Sequence, residues 1–414
     1  MTIFRRNGKE ETPPPLVSVV VLAYNHIDYT RQCIESLYKY TTDVDFELIT
    51  INNGSTDETE QFFNSLPNEK KISFPENIGV DKAINHGFRI AEGKYTLNLS
   101  NDIIVTRNWL SNLVTCMESD EKIAMVVPVC GFSSNYQQVN LKYDSLDEMQ
   151  ILMKTYNTSN PSLWEERMRL VTYTCLFRTD VQRSIGGFDE DFNPGAYDDD
   201  AISFTIRRGG YKLMLARDTY VHHFGSVTFS AEYAKNNIAV RNRILFMQKF
   251  GIDSWSASLI DFNIVDITDV PEKGPVSILG IGSSCGASIL QVKNKLREKG
   301  ILDVSLDYYS QLPSCMTDLA TICRKCVMGF PKDVKQHFSE PYDLIIVEAE
   351  TDKLENLESF YTDLCSMLKE DGQLITTAAN QELYGKIEKI LEEKKLKNKK
   401  SIKDYYYRFQ KSIH

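Results

Sequence analysis

From Leu16 the chain reads LVSVVVL, an almost unbroken β-branched run of the kind found in strands buried on both faces. The period then changes, and Tyr29, Cys33, Leu37 and Tyr40 fall on one side of a helix. FELITI repeats the strand signal, and STDET offers a helix start, because Ser or Thr ahead of acidic residues suits a first turn. A second helical stripe carries Val80, Ile84, Phe88 and Ala91; a strand pattern at Leu97 and the run IAMVVPV follow. Buried strands alternating with helices predict an α/β fold with a mostly parallel, Rossmann-like sheet covered on both faces.

Ligands of such sheets gather outside the carboxyl ends of the strands. Three predicted strand ends therefore share one rim: Ala23-Tyr24-Asn25, Asn52-Asn53-Gly54 and Ser100-Asn101-Asp102. The last of these stops LNLSND on a single carboxylate, Asp102, where a ligand is expected.

Pro13 to Pro15 cannot join a helix or a central strand, so residues 1–15 read as a flexible tail and 16–252 as the first domain. DFNIVDITDVPEKGP lacks a clear period and ends in turn formers, which makes 253–275 a linker. From Val276, VSILGIGSSCGASILQVKNKL opens a new strand, turn and helix, and YDLIIVEAE and GQLITTA supply later strands of a smaller α/β domain over 276–380. Residues 381–414 are basic and aromatic, and read as a helix or tail that is either a plain solvated end or a contact for an anionic membrane surface or a partner.

Composition narrows the class. Lys and Arg number 47 against 57 Asp and Glu, a net charge of -10 that argues against a general nucleic-acid binder. The arginines near the N-terminus have no apolar leader core behind them, and no later run is long enough for a membrane span, so the expected location is cytoplasmic, with peripheral contact at the inner membrane face through the basic end left open as the alternative to a plain solvated end. Nine cysteines, an odd number set mostly in apolar runs, fit reduced thiols. The lone CxxC at Cys323 and Cys326 lacks the second ligand pair that a structural zinc site needs. Nothing in the sequence decides oligomeric state, and a homo-oligomer stays open.

The densest chemistry lies in GGFDEDFNPGAYDDDAISFTIRRGGYKLMLARDTYVHHFGS. Asp198, Asp199 and Asp200 crowd the start of a predicted helix, where acidic residues offset the helix dipole. Three in a row exceed what capping needs. Arg207 and Arg208 close the same helix and suit either anion steering or a structural salt bridge. At this point the chain resembles the family-2 glycosyltransferases of GT-A fold, from Leu16 to about Phe250, on seven ordered blocks: VSVVVLAYN, NNGSTDET, ENIGVDKAINHGF, YTLNLSNDIIVTRNWL, GGFDEDF, YDDDAISFTIRRGGY and VHHFGS.

The resemblance implies a role for each matching position. Ala23, Tyr24 and Asn25 would line the base and ribose of a nucleotide-sugar donor. Asn52 and Asn53 stand where many members have an acidic pair, one of which holds a pyrimidine edge; an amide still offers a donor and an acceptor to uracil. Lys82 would approach the diphosphate or remain a solvated helix lysine. Ser100-Asn101-Asp102 falls on the DxD position, so Asp102 would bind the divalent cation that bridges the donor phosphates, with His223 as a further ligand. Imidazole tilts the choice toward Mn²⁺ over Mg²⁺. His222 would pack or hydrogen-bond beside it. Asp198 and Asp199 match the acidic pair near the acceptor, with Asp199 as general base in an inverting transfer. Asp189 belongs to a loop beside the sugar, or is a turn residue. The acceptor would be a hydroxyl of a glycan, a lipid-linked sugar or a protein, in bacterial surface polysaccharide or glycoprotein assembly.

SILGIGSSCG and the later blocks of 276–380 resemble the front part of a class I methyltransferase, with two departures. Gly280 stands where an acidic residue is usual, and Ser284 where a glycine is usual. S-adenosylmethionine is therefore not expected as a cofactor, and a fold kept for packing or docking is. The rival functions are an S-adenosylmethionine-dependent methyltransferase with a sugar-binding first domain, and a non-catalytic scaffold, since Asn52, Asn53 and Ser100 replace acids. A nucleotidyltransferase needs a glycine- and lysine-rich phosphate loop after its first strand, which AYNHIDYT lacks.

Overall fold

The computed structural model describes residues 13–225, 237–338, 340–349, 351–354, 356–403 and 405–411. Residues 1–12 of the expected tail and Ser226 of the VHHFGS block lie outside the described residues.

The β-branched run becomes β1 (Val17–Ala23), and it sits at the centre of the parallel half of the first sheet. It is flanked by β2 (Phe46–Asn53) and β4 (Tyr95–Ser100), and β3 (Lys70–Phe74) lies beyond β2, in the order β3-β2-β1-β4. The other half continues through β8 (Thr174–Arg178), β6 (Ile123–Cys130), β9 (Lys212–His223) and β5 (Ile103–Ile104), with β7 (Trp164–Glu166) paired to β9. β8 runs antiparallel to β4 and β6, while β9 runs parallel to β6. Helices α1 (Ile27–Tyr40), α2 (Thr59–Ser65), α3 (Val80–Ile90), α4 (Trp109–Glu118), α5 (Leu146–Tyr156), α6 (Thr179–Ser184) and α7 (Asp198–Arg208) belong to the same domain. Val19, Val21, Ile49, Leu97 and Leu99 are wholly buried, as strands covered on both faces require.

Register aligns the rim. Ala23 lies opposite Asn52, and Leu22 opposite Ser100, so three strands end side by side.

The second sheet runs β12-β11-β10-β13-β14-β16-β15. Its strands β10 (Val276–Gly282), β11 (Val304–Ser310), β12 (Lys325–Met328), β13 (Tyr342–Val347) and β14 (Leu368–Thr377) are parallel. Two expectations need correction here. The helix of the helix-or-tail reading is there, Gln381–Glu393, but it leads to β15 (Leu396–Ile402) and β16 (Tyr406–Lys411) instead of a tail, and β16 pairs antiparallel with both β14 and β15. The basic residues sit on an edge hairpin, not on a free arm. Nor is 253–275 a bare linker, because it holds two short helices, Ser254–Ala257 and Phe262–Ile267, whose N-caps are Asp253 and Asp261.

The two domains share a core. Met168, Phe192, Phe204 and Phe246 from the first belong to one buried cluster with Ile264, Ile267, Ile278, Ile289 and Tyr308. Polar contacts lock the same boundary: the Asn294 side chain bonds both backbone groups of Glu166, and Lys293 pairs with its carboxylate at 2.8 Å. Arg207 and Arg208 at the end of α7 meet Asp318 of the second domain, which settles their role as structural. All nine cysteines are free thiols, and among the described residues no helix is long and apolar enough to cross a membrane.

Candidate active site

Asp102 lies two residues past the end of β4 and directly precedes β5, whose two residues pair antiparallel with the end of β9: Ile103 faces His223 and Ile104 faces His222. That short ladder carries His223 to Asp102, and their Nε2 and Oδ2 atoms lie 3.2 Å apart. The Phe224 amide clamps the same turn by donating to the Asp102 carbonyl at 3.2 Å. His223 Nδ1 donates to the Phe132 carbonyl at 2.7 Å, which leaves Nε2 as the nitrogen facing the carboxylate. Burial pulls the imidazole down, but bonds to Asp102, Cys130 and Phe132 outweigh it and raise it to about 10. Beside it, His222 Nδ1 meets the Tyr143 hydroxyl at 2.5 Å, and its own value is lowered by burial and by His223.

Asp199 sits in the first turn of α7, which also carries Asp198 and Asp200. The loop ahead of α7 is held by the buried Asn242 amide, which bonds the carbonyls of Phe192, Gly195 and Ala196. Asp200 is anchored to Arg169 at 3.1 Å. Thr172 donates to Asp199 Oδ1 through its backbone amide at 3.1 Å and through its hydroxyl. Burial pushes the Asp199 carboxyl up to about 6 against the pull of those bonds and of Arg169. Asp198 is pushed up further, by burial and then by Asp199 and Asp81. Asp198 and Asp199 are half-buried as residues.

Two consecutive residues join these halves. Thr172 holds Asp199, while the Tyr173 ring stacks on His223 with centroids 5.5 Å apart and planes 23° apart. The Tyr173 carbonyl also accepts from the Ser100 amide at 3.0 Å, tying the link to the end of β4.

The remaining expected residues divide. Asn25, at φ 56, accepts from the Thr56 amide at 2.8 Å and so closes the β1 loop over the β2 loop. Tyr24 is half-buried beside buried Ala23. Asn52 and Asn53 are buried beneath the rim: Asn52 bonds Ser73 and the Ser55 amide, and Asn53 bonds Asn77 and the Ile78 amide. Their amides organise loops of the protein. Asn101 donates to Thr30 at 2.9 Å. Lys82 is exposed on α3. Asp189 caps a 3-10 turn, Glu190–Phe192, and pairs with Lys249 at 2.6 Å, which is the turn reading of that residue.

The sequence reading missed Thr172, Tyr173 and Asp81. The first two lie in an irregular stretch before β8 with no motif of their own, and Asp81 carried no signal beyond being acidic at the start of a helix.

Among the described residues no group of three metal-ligating side chains comes together. One carboxylate and one imidazole still suit a cation whose remaining ligands are phosphate oxygens and water, and the Nδ1 bond to Phe132 orients the ring as a ligating histidine needs.

Residues 18–185 match the family model for glycosyl transferase family 2. The matched segment spans the rim, Asp102 and the Thr172-Tyr173 link, while α7 and His223 lie beyond it. An uncharacterized glycosyltransferase of Rickettsia typhi is 30% identical over 138 residues, 33% of this chain and 42% of that protein. The validoxylamine A glucosyltransferase of Streptomyces hygroscopicus subsp. jinggangensis is 23% identical over 232 residues, 50% of this chain and 54% of that protein. The chain thus spans 42% and 54% of the two relatives. Among solved structures, the mannosyltransferase PcManGT from Pyrobaculum calidifontis, in complex with GDP-Man and Mn²⁺, is similar with a TM-score of 0.40 at 16% identity, covering 75% of each chain.

Proposed function

We propose that this chain is a glycosyltransferase that moves a sugar from a nucleotide diphosphate donor, UDP-linked by preference, to a hydroxyl of a glycan, lipid-linked sugar or protein, with inversion at the anomeric carbon. The observation that carries the reading is the Asp102–His223 contact, made by the two-residue β5 at the rim of the parallel strands. These two side chains would hold a divalent cation, Mn²⁺ before Mg²⁺, which when bound offsets the charge developing on the departing nucleotide diphosphate. Asp199 takes the proton of the acceptor hydroxyl. With its carboxyl pushed up only to about 6, it is largely ionised at neutral pH and still basic enough to accept. Both Thr172 bonds fall on Oδ1, so Oδ2 is the oxygen that meets the acceptor. The setting that fits is bacterial surface polysaccharide or glycoprotein assembly at the cytoplasmic side.

The second domain fits a brace better than a second active site. At Gly280 an added Cβ would lie 2.4 Å from the Tyr308 ring, and Tyr308, Ser284 and Glu348 bond one another at 2.9 to 3.0 Å. Ser284, Tyr308 and Glu348 thus spend their polar groups on one another.

Melting temperatures with UDP, dTDP and GDP, each with Mn²⁺ and with EDTA, test the reading, because a ligand that binds the native state raises the midpoint. One nucleotide should stabilise the wild type only with Mn²⁺ and fail to stabilise Asp102→Ala. No shift with any nucleotide, and a shift with S-adenosylmethionine, would overturn it.

A further inference from the structure

Residues 394–411 carry eight Lys and Arg against one acid, Asp404, on a chain whose net charge is -10. The structure sorts these cations into two sets. Lys400 donates to the Asp266 carbonyl at 3.0 Å, Lys411 donates to the Leu368 carbonyl at 3.0 Å, and Arg408 pairs with Asp269 at 2.5 Å. Those three fasten the hairpin to its own domain. Lys394, Lys395, Lys397, Lys399 and Lys403 are all exposed, and among the described residues no carboxylate or carbonyl meets their ammonium groups. Glu392 and Glu393, exposed at the end of the preceding helix, pair with none of them.

The second set lies in a row. β15 is the last strand of its sheet, so its outer edge has no neighbour, and it carries Lys397 and Lys399. Lys399 is the extra residue of a bulge, because Asn398 pairs with Phe409 and Lys400 with Arg408. Lys394 and Lys395 precede the strand and Lys403 follows it, so the row runs the length of the seven-residue β15, roughly 20 Å.

Lysine on an edge strand blocks pairing with another sheet, which accounts for Lys397 and Lys399. It does not account for Lys394, Lys395 and Lys403, which stand outside the ladder. Lys395 and Lys403 also hold φ 63 and φ 56, left-handed turn positions that glycine fills at lower cost. Next to Lys403 in the hairpin turn, Tyr405 is 41% exposed, and a ring with an apolar body and a polar tip suits the headgroup boundary of a bilayer.

We propose that the outer edge of β15, with the turns at its two ends, docks on an anionic lipid bilayer, the ammonium groups of Lys394, Lys395, Lys397, Lys399 and Lys403 meeting lipid phosphates. A row of cations along an open edge can touch a plane of headgroups together, whereas a single nucleic-acid strand is gripped by a basic groove that tracks its backbone. The remainder of the chain is acidic on balance, so the same bilayer repels it and this edge is the one that approaches. Docking stands whether or not the first domain transfers sugar.

Sedimentation of the full chain with vesicles tests it. The wild type should pellet with one-to-one phosphatidylglycerol and phosphatidylcholine at about 50 mM NaCl, stay in solution with phosphatidylcholine alone, and come off at about 500 mM NaCl. Each lysine removed should weaken binding about fivefold, so Lys397→Gln, Lys399→Gln and Lys403→Gln together should lose about a hundredfold. At the other end of the row, Lys394→Gln with Lys395→Gln should lose about twenty-five-fold. The same change in net charge made at exposed lysines elsewhere, Lys142→Gln, Lys154→Gln and Lys332→Gln, should leave binding as it was. The proposal is overturned by a wild type that ignores phosphatidylglycerol, by an elsewhere-variant that loses as much as the hairpin variants, or by hairpin variants that bind like wild type. Displacement from the vesicles by a single-stranded oligonucleotide that itself binds the hairpin more tightly than the lipid would overturn it in favour of nucleic acid.

Discussion

Removing the Asp318 carboxylate should destabilise the first domain, although Asp318 belongs to the second. Arg208 donates to it through Nε at 3.1 Å and Nη2 at 2.7 Å, a two-point charge-assisted contact, and Arg207 Nη1 lies 3.8 Å away. The Asp318 side chain is 0% exposed and that of Arg207 2%. In Asp318→Ala, Arg208 can turn toward solvent, but Arg207 stays as a buried charge without its counter-ion. Breaking a buried pair from one side typically costs about 3–5 kcal/mol. Arg207 keeps three other acceptors, the Asp318 carbonyl at 3.0 Å, the Met168 carbonyl at 3.3 Å and the Thr321 hydroxyl, so the lower end, about 3 kcal/mol, is expected.

Urea unfolding followed by tryptophan fluorescence is the assay, since Trp109, Trp164 and Trp255 all precede the second sheet. Asp318→Leu combined with Arg207→Met should recover most of the loss, because apolar replacement of a whole buried pair is often neutral or better. A change below about 1 kcal/mol in Asp318→Ala, or no recovery in the double variant, would refute the view that this pair bolts α7 to the second domain.

Activity should rise with pH through about 6 as Asp199 ionises, and Thr172→Val should move that acid limb to higher pH, because it removes a hydrogen bond that favours the carboxylate. An unmoved limb in a pH–rate profile would take Asp199 out of the base role. Asn242→Ala strands three carbonyls ahead of α7 and should cost about 1–3 kcal/mol in urea unfolding; a variant as stable as wild type would mean that the loop holds itself.

The parallel strands and their helices were legible because a strand covered on both faces has to be apolar throughout, and Val17 to Ala23 leave little choice. Asp102 and His223 could be paired from their motifs, but the device that joins them could not be read. β5 is two residues long, too short for any period to register. The C-terminal hairpin was misread for a physical reason. An edge strand is protected by lysine, and β15, LKNKKSI, is mostly exposed and basic, so the residues that guard the edge look like a tail. The helices at 253–275 are four and six residues long and begin at Asx caps, which resemble turn formers. Asn52 and Asn53 fell on a motif position, yet loop contacts between residues more than twenty positions apart claim Asn53, and no local pattern carries that information.

The core cluster that runs from Phe204 and Phe246 into Ile278 and Ile289 has a practical consequence for modularity. A cut near residue 252 would pass between two halves of one apolar surface, and each piece would present that surface to water, where exposed patches seek partners. The first domain is therefore not a portable cassette. Transplanting it, or exchanging donor specificity by swapping domains, calls for carrying the second sheet along or redesigning the outer face of α7.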